Sequence, residues 1–229
     1  ISIFKLLLIS FIYNITPLFL SLFYYKILFK ISIEVFVICK DDLTIGILAG
    51  GKATRMGNND KGLISVGGTP FVEILINKII PHSKDIIINA NRNISQYKKY
   101  NYPVVEDEIK GFKGPLSGIY SMLKATKKDY LFTLPCDCPN FSWEVIETFI
   151  ENKKSNELCI AHNNLRSQPV FMLISKLKLK SLENYLKSGE RKIDLWYKKN
   201  NYEYIYFDKN TKFFENINTM EQLKKYNEK

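Results

Sequence analysis

The chain has 229 residues, a length that suits one sizeable domain or one domain with an appendage. Hydrophobic residues make up 46% and charged residues 24% of the sequence, which excludes a disordered chain and permits a packed core. The net charge of +10 suits acidic partners such as phosphates, nucleic acid or a membrane face. Lys, Asn, Ile, Phe and Tyr are abundant throughout, so a coding bias from AT-rich DNA explains this charge equally well.

The four cysteines point to a reducing compartment. The four are Cys39, Cys136, Cys138 and Cys159. Their spacing fits neither a zinc ribbon nor a CxxC redox motif. We interpret them as core thiols and expect a cytoplasmic protein.

The N-terminal region carries an apolar run, residues 6–25, that is long enough to cross a bilayer. A second apolar run follows at once, with no small-residue cleavage site between the two. A membrane anchor, a signal peptide and translated upstream DNA are the three interpretations. The initial Ile and the interruptions at Asn14 and Pro17 favour the third. We therefore expect residues 1–42 to lie outside the functional domain, and residues 43–229 to form it.

From residue 43 onward, short apolar strands alternate with stretches of helical periodicity. In chain order the predicted elements are strand 44–48, helix 70–80, strand 85–90, strand 102–107, a loop followed by a helix within 114–126, strand 129–137, helix 142–153, strand 157–161, strand 168–174, helix 175–199, strand 202–207 and helix 220–228. Thr219 is the predicted N-cap of the last helix. This alternation predicts an α/β fold with βαβ units and a mostly parallel central sheet covered by helices on both faces.

Three unusual segments follow predicted strands. Residues 49–61 come after the first strand, Asn89–Arg92 after the second, and Pro135–Asp137 after the fourth. Ligands of open parallel sheets gather at the carboxyl ends of the strands. Their shared position therefore predicts a binding site at one edge of the sheet.

The first segment is a glycine loop of a particular kind. It lacks the GxGxxG dinucleotide fingerprint, and the run GILAGGK is followed by Ala53, where a Walker A loop requires Ser or Thr. Gly46 also lies inside the predicted strand rather than after it. The loop retains Gly50 and Gly51, whose backbone N–H groups a ligand can approach closely.

Three basic residues accompany this loop: Lys52, Arg55 and Lys61. Backbone N–H groups together with Arg and Lys side chains form a cradle for polyphosphate. A glycine-rich turn with solvated basic side chains is the structural alternative.

The segment LAGGKATRMGNNDKGL, residues 48–63, resembles the signature LAGG-x₃-RMG-x₂-DK-x-L of the molybdenum cofactor guanylyltransferases, the MobA-type nucleotidyltransferases. Further segments resemble the family's motifs in the same order: NANR (89–92), VVEDE (104–108), GPLSGI (114–119), PCDCP (135–139), SQPVF (167–171), SGERKID (188–194) and NINT (216–219). The resemblance covers about residues 43–225. It implies a three-layer Rossmann-like nucleotidyltransferase fold and the transfer of GMP from GTP to molybdopterin-bound molybdenum, with release of pyrophosphate.

The resemblance also implies roles for individual residues. Arg55 and Lys61 would hold the triphosphate, and Asp137 would hold Mg²⁺, which takes oxygen ligands and completes its shell with water and substrate phosphate. Leu48, Ala49 and Gly50 would touch the nucleotide through their backbone. The alternative reading of Arg55 and Lys61 is a pair of solvated surface charges, and that of Asp137 is a turn-forming carboxylate.

The base and the acceptor would meet other residues. Asn89 and Asp107 would sit beside the nucleoside, where an acidic side chain suits the N–H donors of guanine. The alternatives are a strand-end capping residue for Asn89 and a simple turn residue for Asp107. Gln168, Arg191 and Asn218 match positions nearer the pterin half. In SGERKID, Lys192 stands where the family has a second Arg. Lys keeps the positive charge but cannot form the bidentate hydrogen bonds of a guanidinium group.

Other activities and partners stay open at this point. A CTP-using molybdenum cofactor cytidylyltransferase or a sugar-phosphate relative is the alternative among enzymes, and a non-catalytic nucleotide-binding delivery partner of molybdoenzymes is the alternative from another class. GTP and the molybdopterin cofactor are the expected substrates, and molybdoenzymes or cofactor-delivery proteins are candidate partners. We expect no nucleic acid, because aromatic residues do not interleave with the basic loop, no membrane unless residues 6–25 are an anchor, and a monomer or weak oligomer.

Overall fold

The computed structural model describes residues 40–51, 60–109, 114–154, 156–208 and 212–228, and all structural statements concern these ranges. The predictions for residues 6–25 and for Arg55 lie outside them. The strands are β1 (Leu43–Leu48), β2 (Ser65–Val66), β3 (Thr69–Pro70), β4 (Ile86–Asn89), β5 (Val104–Val105), β6 (Tyr130–Pro135), β7 (Leu158–His162), β8 (Ser167–Ser175) and β9 (Glu203–Tyr206). The α-helices are α1 (Phe71–Ile79), α2 (Ile94–Tyr97), α3 (Pro115–Ala125), α4 (Glu144–Asn152), α5 (Leu179–Lys187), α6 (Ile193–Lys198) and α7 (Met220–Asn227).

Seven strands form the central sheet in the order β5-β4-β1-β6-β8-β7-β9, and β2 and β3 form a separate small hairpin. The pairs β1–β4, β1–β6, β4–β5 and β7–β9 are parallel, whereas β8 is antiparallel to both of its neighbours. The predicted mostly parallel sheet is thus confirmed. The chain builds outward from β1 to β4 and β5 and then returns to β6 on the other side of β1, so the strand order reverses at β1.

Side chains alternate along the strands between two cores, as the two-residue period of a strand requires. In β4, Ile86 and Ile88 face one core and Ile87 the other. Helices α1 and α4 cover the first face, and helices α3, α5 and α6 cover the second. The expected three-layer arrangement is confirmed within the described residues.

The predicted single helix over residues 175–199 is wrong. The chain forms a 3₁₀ turn at Lys176–Lys178, then α5, and then α6 after a break. Gly189 in this break has φ of +90°, a conformation that favours glycine and ends α5. Because both helices pack on the same core, the apolar spacing continues across the break and hides it from a search for periodicity.

No helix within the described ranges is both long enough and apolar enough to cross a membrane.

The C-terminal helix α7 has the cap predicted from the sequence. The hydroxyl of Thr219 accepts a hydrogen bond from the backbone N–H of Gln222, and the side chain of Gln222 accepts one from the N–H of Thr219, which completes a capping box. Leu223 of this helix packs in a small core with Val66, Phe71 and Ile217. The cap therefore supports the attachment of α7 to the β2–β3 region.

We predict that Thr219→Ala lowers the free energy of unfolding by about 1 kcal/mol, because an orphan N–H of the first turn loses its acceptor. Urea denaturation followed by circular dichroism measures this change. Thr219→Ser keeps the hydroxyl and serves as the matched control, so equal midpoints for the Ala and Ser variants would contradict the role of the cap.

Candidate active site

A cleft of about 480 Å³ opens at the carboxyl edge of the sheet, where the strand order reverses. The ends of β1, β4 and β6 contribute Leu48, Asn89 and Pro135 to its wall. The remaining lining residues are Gly50, Gly51, Lys61, Asp107, Gly114, Pro115, Cys136, Asp137, Val170 and Asn216. Clefts at such reversal points are the general ligand sites of open α/β sheets.

Lys61 and Asp137 form an ion pair in this cleft, although they lie 76 positions apart in the chain. The Nζ of Lys61 lies 2.8 Å from Oδ2 of Asp137. The side chain of Asp137 is 8% exposed and that of Lys61 21%. Lys61 begins a short 3₁₀ turn, and Asp137 follows the end of β6, so the pair joins two separate loops at the edge of the sheet.

Two asparagines from the segment before α7 complete this ion pair. Asn216 donates its Nδ2 hydrogen to Oδ1 of Asp137 at 2.8 Å, and Lys61 donates to Oδ1 of Asn218. The backbone N–H of Ile217 donates to the carbonyl oxygen of Asp137 at 2.9 Å, which fixes the segment against the carboxylate. The role of Asn216 was not predicted individually. Its place in the NINT motif was the available signal.

The other end of the cleft holds Asn89 and Asp107. Asn89 donates from Nδ2 to Oδ1 of Asp107 at 2.9 Å and to the carbonyl oxygen of Val105 at 3.2 Å. The backbone of α3 comes very close here, since a Cβ placed on Gly118 would lie 2.2 Å from Oδ1 of Asn89. Glycine at this position thus allows the helix to confine the carboxamide.

The glycine loop contributes backbone to the same cleft. Gly50 and Gly51 line it, and the carbonyl oxygen of Gly51 accepts a hydrogen bond of 3.1 Å from Arg92. Leu48 lines the cleft as well, whereas Ala49 is buried behind it and is 3% exposed. The N–H of Ala49 donates to the carbonyl oxygen of Asn89 at 2.8 Å, so a nucleotide would have to meet other backbone atoms of this residue.

A buried carboxylate supports the position of Lys61. Asp60 is 6% exposed and accepts hydrogen bonds from the hydroxyl of Tyr97 and from Nδ2 of Asn93. Burial raises the pKa of Tyr97, and the bond to Asp60 raises it further, so the hydroxyl stays a neutral donor. Tyr97 and Asn93 thereby hold the start of the turn that carries Lys61.

The cysteines beside Asp137 are packing residues. Cys136 and Cys138 are free and buried, and burial raises the pKa of both thiols well above the ordinary value. Cys159 is also free and buried, with a raised pKa for the same reason. The expectation of core thiols is confirmed for these three, and Cys39 lies outside the described residues.

A second, more polar pocket of about 320 Å³ adjoins the cleft and shares Asn216 with it. It contains Gln168 and Asn218, which the resemblance implies lie nearer the pterin half, and it also contains Arg166. Its other lining residues are Asn163, Phe214, Glu215 and Gln222.

Arg191 does not line either of these two pockets. One of its guanidinium nitrogens donates to the carbonyl oxygen of Leu186 at 2.9 Å, near the end of α5.

The side chains at the Asp137 end of the cleft suit a hard divalent cation. A carboxylate and two carboxamides supply oxygen donors, which such cations prefer, and the buried thiols stay protonated. Within the described ranges no group of three or more His, Cys, Asp or Glu side chains could hold a metal ion. The Asp137 carboxylate would be the charged ligand of a cation here, with carboxamide oxygens, substrate and water at the remaining positions.

The chain is similar to known proteins over most of its length. The family model described as a MobA-like NTP transferase domain matches residues 45–201. A molybdenum cofactor guanylyltransferase from Shewanella putrefaciens is 42% identical over 182 residues, which cover 79% of this chain and 93% of the relative. The enzyme of the same name from Shewanella woodyi is 43% identical over 178 residues, covering 77% and 91%.

Solved structures share the fold. The molybdopterin-guanine dinucleotide biosynthesis protein A of Archaeoglobus fulgidus superposes with a TM-score of 0.69 at 23% identity, over 81% of this chain and 97% of that protein. A nucleotidyl transferase from Methanothermobacter superposes with a TM-score of 0.64 at 12% identity, over 81% and 96%. The sequence matches and the shared fold lead to one conclusion: the chain belongs to the MobA-like NTP transferase family of nucleotidyltransferases.

Proposed function

We propose that the protein is a molybdenum cofactor guanylyltransferase, which transfers GMP from GTP to the terminal phosphate of molybdopterin-bound molybdenum cofactor and releases pyrophosphate. The observation that carries this proposal is the paired Lys61 and Asp137 at one end of a cleft whose other end holds Asn89 and Asp107. Relatives named molybdenum cofactor guanylyltransferase, which are 42% and 43% identical to the chain, support the choice of reaction.

The reaction needs no protein nucleophile. A phosphate oxygen of the acceptor attacks the α-phosphorus of GTP, a new P–O bond forms, and the bond to pyrophosphate breaks. Catalysis of this kind rests on positioning and on neutralising charge. The ammonium of Lys61 would supply a positive charge to the phosphates, and Arg55, which lies outside the described residues, is the second proposed cation.

We assign the metal to Asp137. Mg²⁺ held there would neutralise phosphate charge and orient the triphosphate when bound. Asn216 holds Oδ1 of the Asp137 carboxylate, so the side chain keeps one orientation, with Oδ2 directed at Lys61. The supporting backbone bond from Ile217 limits movement of the loop that carries Asp137.

Guanine would lie toward Asp107 and Asn89. The Asp107 carboxylate is an acceptor, which complements the N1–H and N2–H₂ donors of guanine. Asn89 donates to Asp107 and thereby orients it, while Leu48 and Gly50 supply the adjoining wall. The buried Ala49 would support that wall from behind.

The acceptor would occupy the adjoining polar pocket. Arg166 offers a guanidinium fork that suits phosphate, and Gln168, Asn163 and Gln222 offer carboxamides that can both donate and accept. Because Asn216 belongs to both pockets, an acceptor bound there would reach the edge of the nucleotide cleft.

The proposal is tested with the purified full-length chain, molybdopterin cofactor, Mg²⁺ and each of GTP, CTP, ATP and UTP in turn, with pyrophosphate release as the measurement. We expect release with GTP to exceed release with the other nucleotides. A preference for CTP would replace the proposal with the cytidylyltransferase alternative, and binding of GTP without release in any mixture would favour a non-catalytic role.

We predict that Asp137→Asn lowers metal-dependent transfer by a factor of about 100 or more, because the amide keeps the shape but removes the charge that would hold the cation. The turnover rate at saturating GTP and Mg²⁺ is the measurement. Asp85→Asn is the control, since that carboxylate lies in an exposed pair with Lys128. Turnover of the Asp137 variant equal to that of the control would remove the metal from this residue.

We also propose that residues 43–229 form the nucleotidyltransferase domain and that residues 1–42 lie outside it. Deleting residues 1–42 should then leave folding and transfer intact, as measured by thermal unfolding and pyrophosphate release. Deleting residues 1–39 is the matched control, because it keeps Lys40, which pairs with Glu147 at 3.1 Å. An inactive product from both deletions would assign residues 1–39 a necessary role.

A further inference from the structure

We propose that the Lys61 ammonium and the divalent cation compete for the carboxylate of Asp137, so that metal binds this site tightly only together with a polyphosphate that accepts the ammonium. This inference rests on the proposed function for the identity of the polyphosphate. It assigns Lys61 a second task besides contact with phosphate: it is the internal counterion of the metal ligand.

The two oxygens of the Asp137 carboxylate have different partners. Oδ1 accepts from the neutral carboxamide of Asn216, and Oδ2 accepts from the charged Nζ of Lys61 at 2.8 Å. The side chain of Asp137 is 8% exposed, so water cannot replace these partners freely. A cation that binds Asp137 on the side of Oδ2 that faces Lys61 must take the position of the lysine nitrogen.

Electrostatic repulsion makes the ammonium and the divalent cation rivals for this carboxylate. A carboxylate in a poorly solvated site is stabilised by one nearby positive charge. A second cation bound to the same oxygen would lie close to the ammonium, and the two positive charges would repel each other. Removing the ammonium without giving it a partner would leave a partly buried charge unpaired, which is costly. A triphosphate would remove both costs, the repulsion between the cations and the unpaired ammonium, because its oxygens can bind the ammonium and the divalent cation at once.

The structure also provides a place for the displaced side chain. Lys61 donates to the carboxamide oxygen of Asn218 in addition to Asp137, so a neutral partner keeps its nitrogen in the cleft after the carboxylate is taken. Asn218 thus lets Lys61 exchange between the carboxylate and a phosphate without leaving the site. The pair works as a coupled element in which metal and nucleotide favour each other's binding.

Binding of Mn²⁺, measured by the electron paramagnetic resonance signal of the free ion, tests this inference without nucleotide and without turnover. We expect wild-type protein to bind Mn²⁺ weakly and Lys61→Met to bind it about tenfold more tightly or better, because the carboxylate has lost its competing cation. Lys180→Met removes the same charge from an exposed pair with Glu183 and should bind Mn²⁺ as wild type does. Lys61→Gln replaces the Met variant if that variant fails to fold.

A second measurement on the same variants separates this inference from the proposed function. Calorimetric titration with GTP should give about tenfold weaker binding for Lys61→Met, since an ammonium–phosphate contact is lost. Opposite changes in the affinities for Mn²⁺ and GTP support the competition. Unchanged or weaker Mn²⁺ binding by both Lys61 variants would overturn it even if guanylyl transfer is found, whereas tighter Mn²⁺ binding without guanylyl transfer would contradict the proposed function alone.

Discussion

The site depends on one partly buried ion pair. Asp137 and Lys61 are brought together from loops that follow different strands, and neither charge is well solvated. A charge in such a position must be paired and hydrogen-bonded, or the loop that carries it will rearrange. Asn216 and Asn218 satisfy this requirement from a third direction, so the C-terminal segment becomes part of the cleft. These three chain segments together place a carboxylate, an ammonium and two carboxamides at one end of the cleft.

The fold explains why the pair can exist. Strand order reverses at β1, so the loops after β1, β4 and β6 open onto one cleft. The polar residues of the cleft come from loops and strand ends, so the two cores can stay apolar. Asp60 anchors the turn that begins at Lys61. The carboxylate of Asp60 accepts hydrogen bonds from Tyr97 and Asn93. At the opposite end the close approach of Gly118 confines Asn89. Charged and carboxamide side chains are therefore displayed from backbone that is fixed on the core side.

Much of this architecture was predictable from the sequence, for physical reasons. Apolar spacing located the strands of the central sheet and most helices, and the positions of glycine, asparagine and aspartate after strands located the edge that carries the cleft. The antiparallel β8 was not singled out, although only four residues separate it from β7, too few for a parallel crossover. The hairpin of β2 and β3 is too short to leave a periodic signal. The bonds from Asn216 and Asn218 depend on how the C-terminal segment crosses the sheet edge, which local sequence does not encode.

In the proposed function, Lys61, Asp137, Asn89 and Asp107 surround a single nucleotide with its metal. A crystal structure of the protein with Mg²⁺ and a non-hydrolysable GTP analogue tests this claim most directly. The account predicts phosphate density between Lys61 and Asp137, a cation on the Asp137 carboxylate, and guanine against Asp107. A nucleotide bound elsewhere would contradict this arrangement. So would a nucleotide bound in the cleft while Nζ of Lys61 stays 2.8 Å from Oδ2 of Asp137 and no cation lies on Asp137.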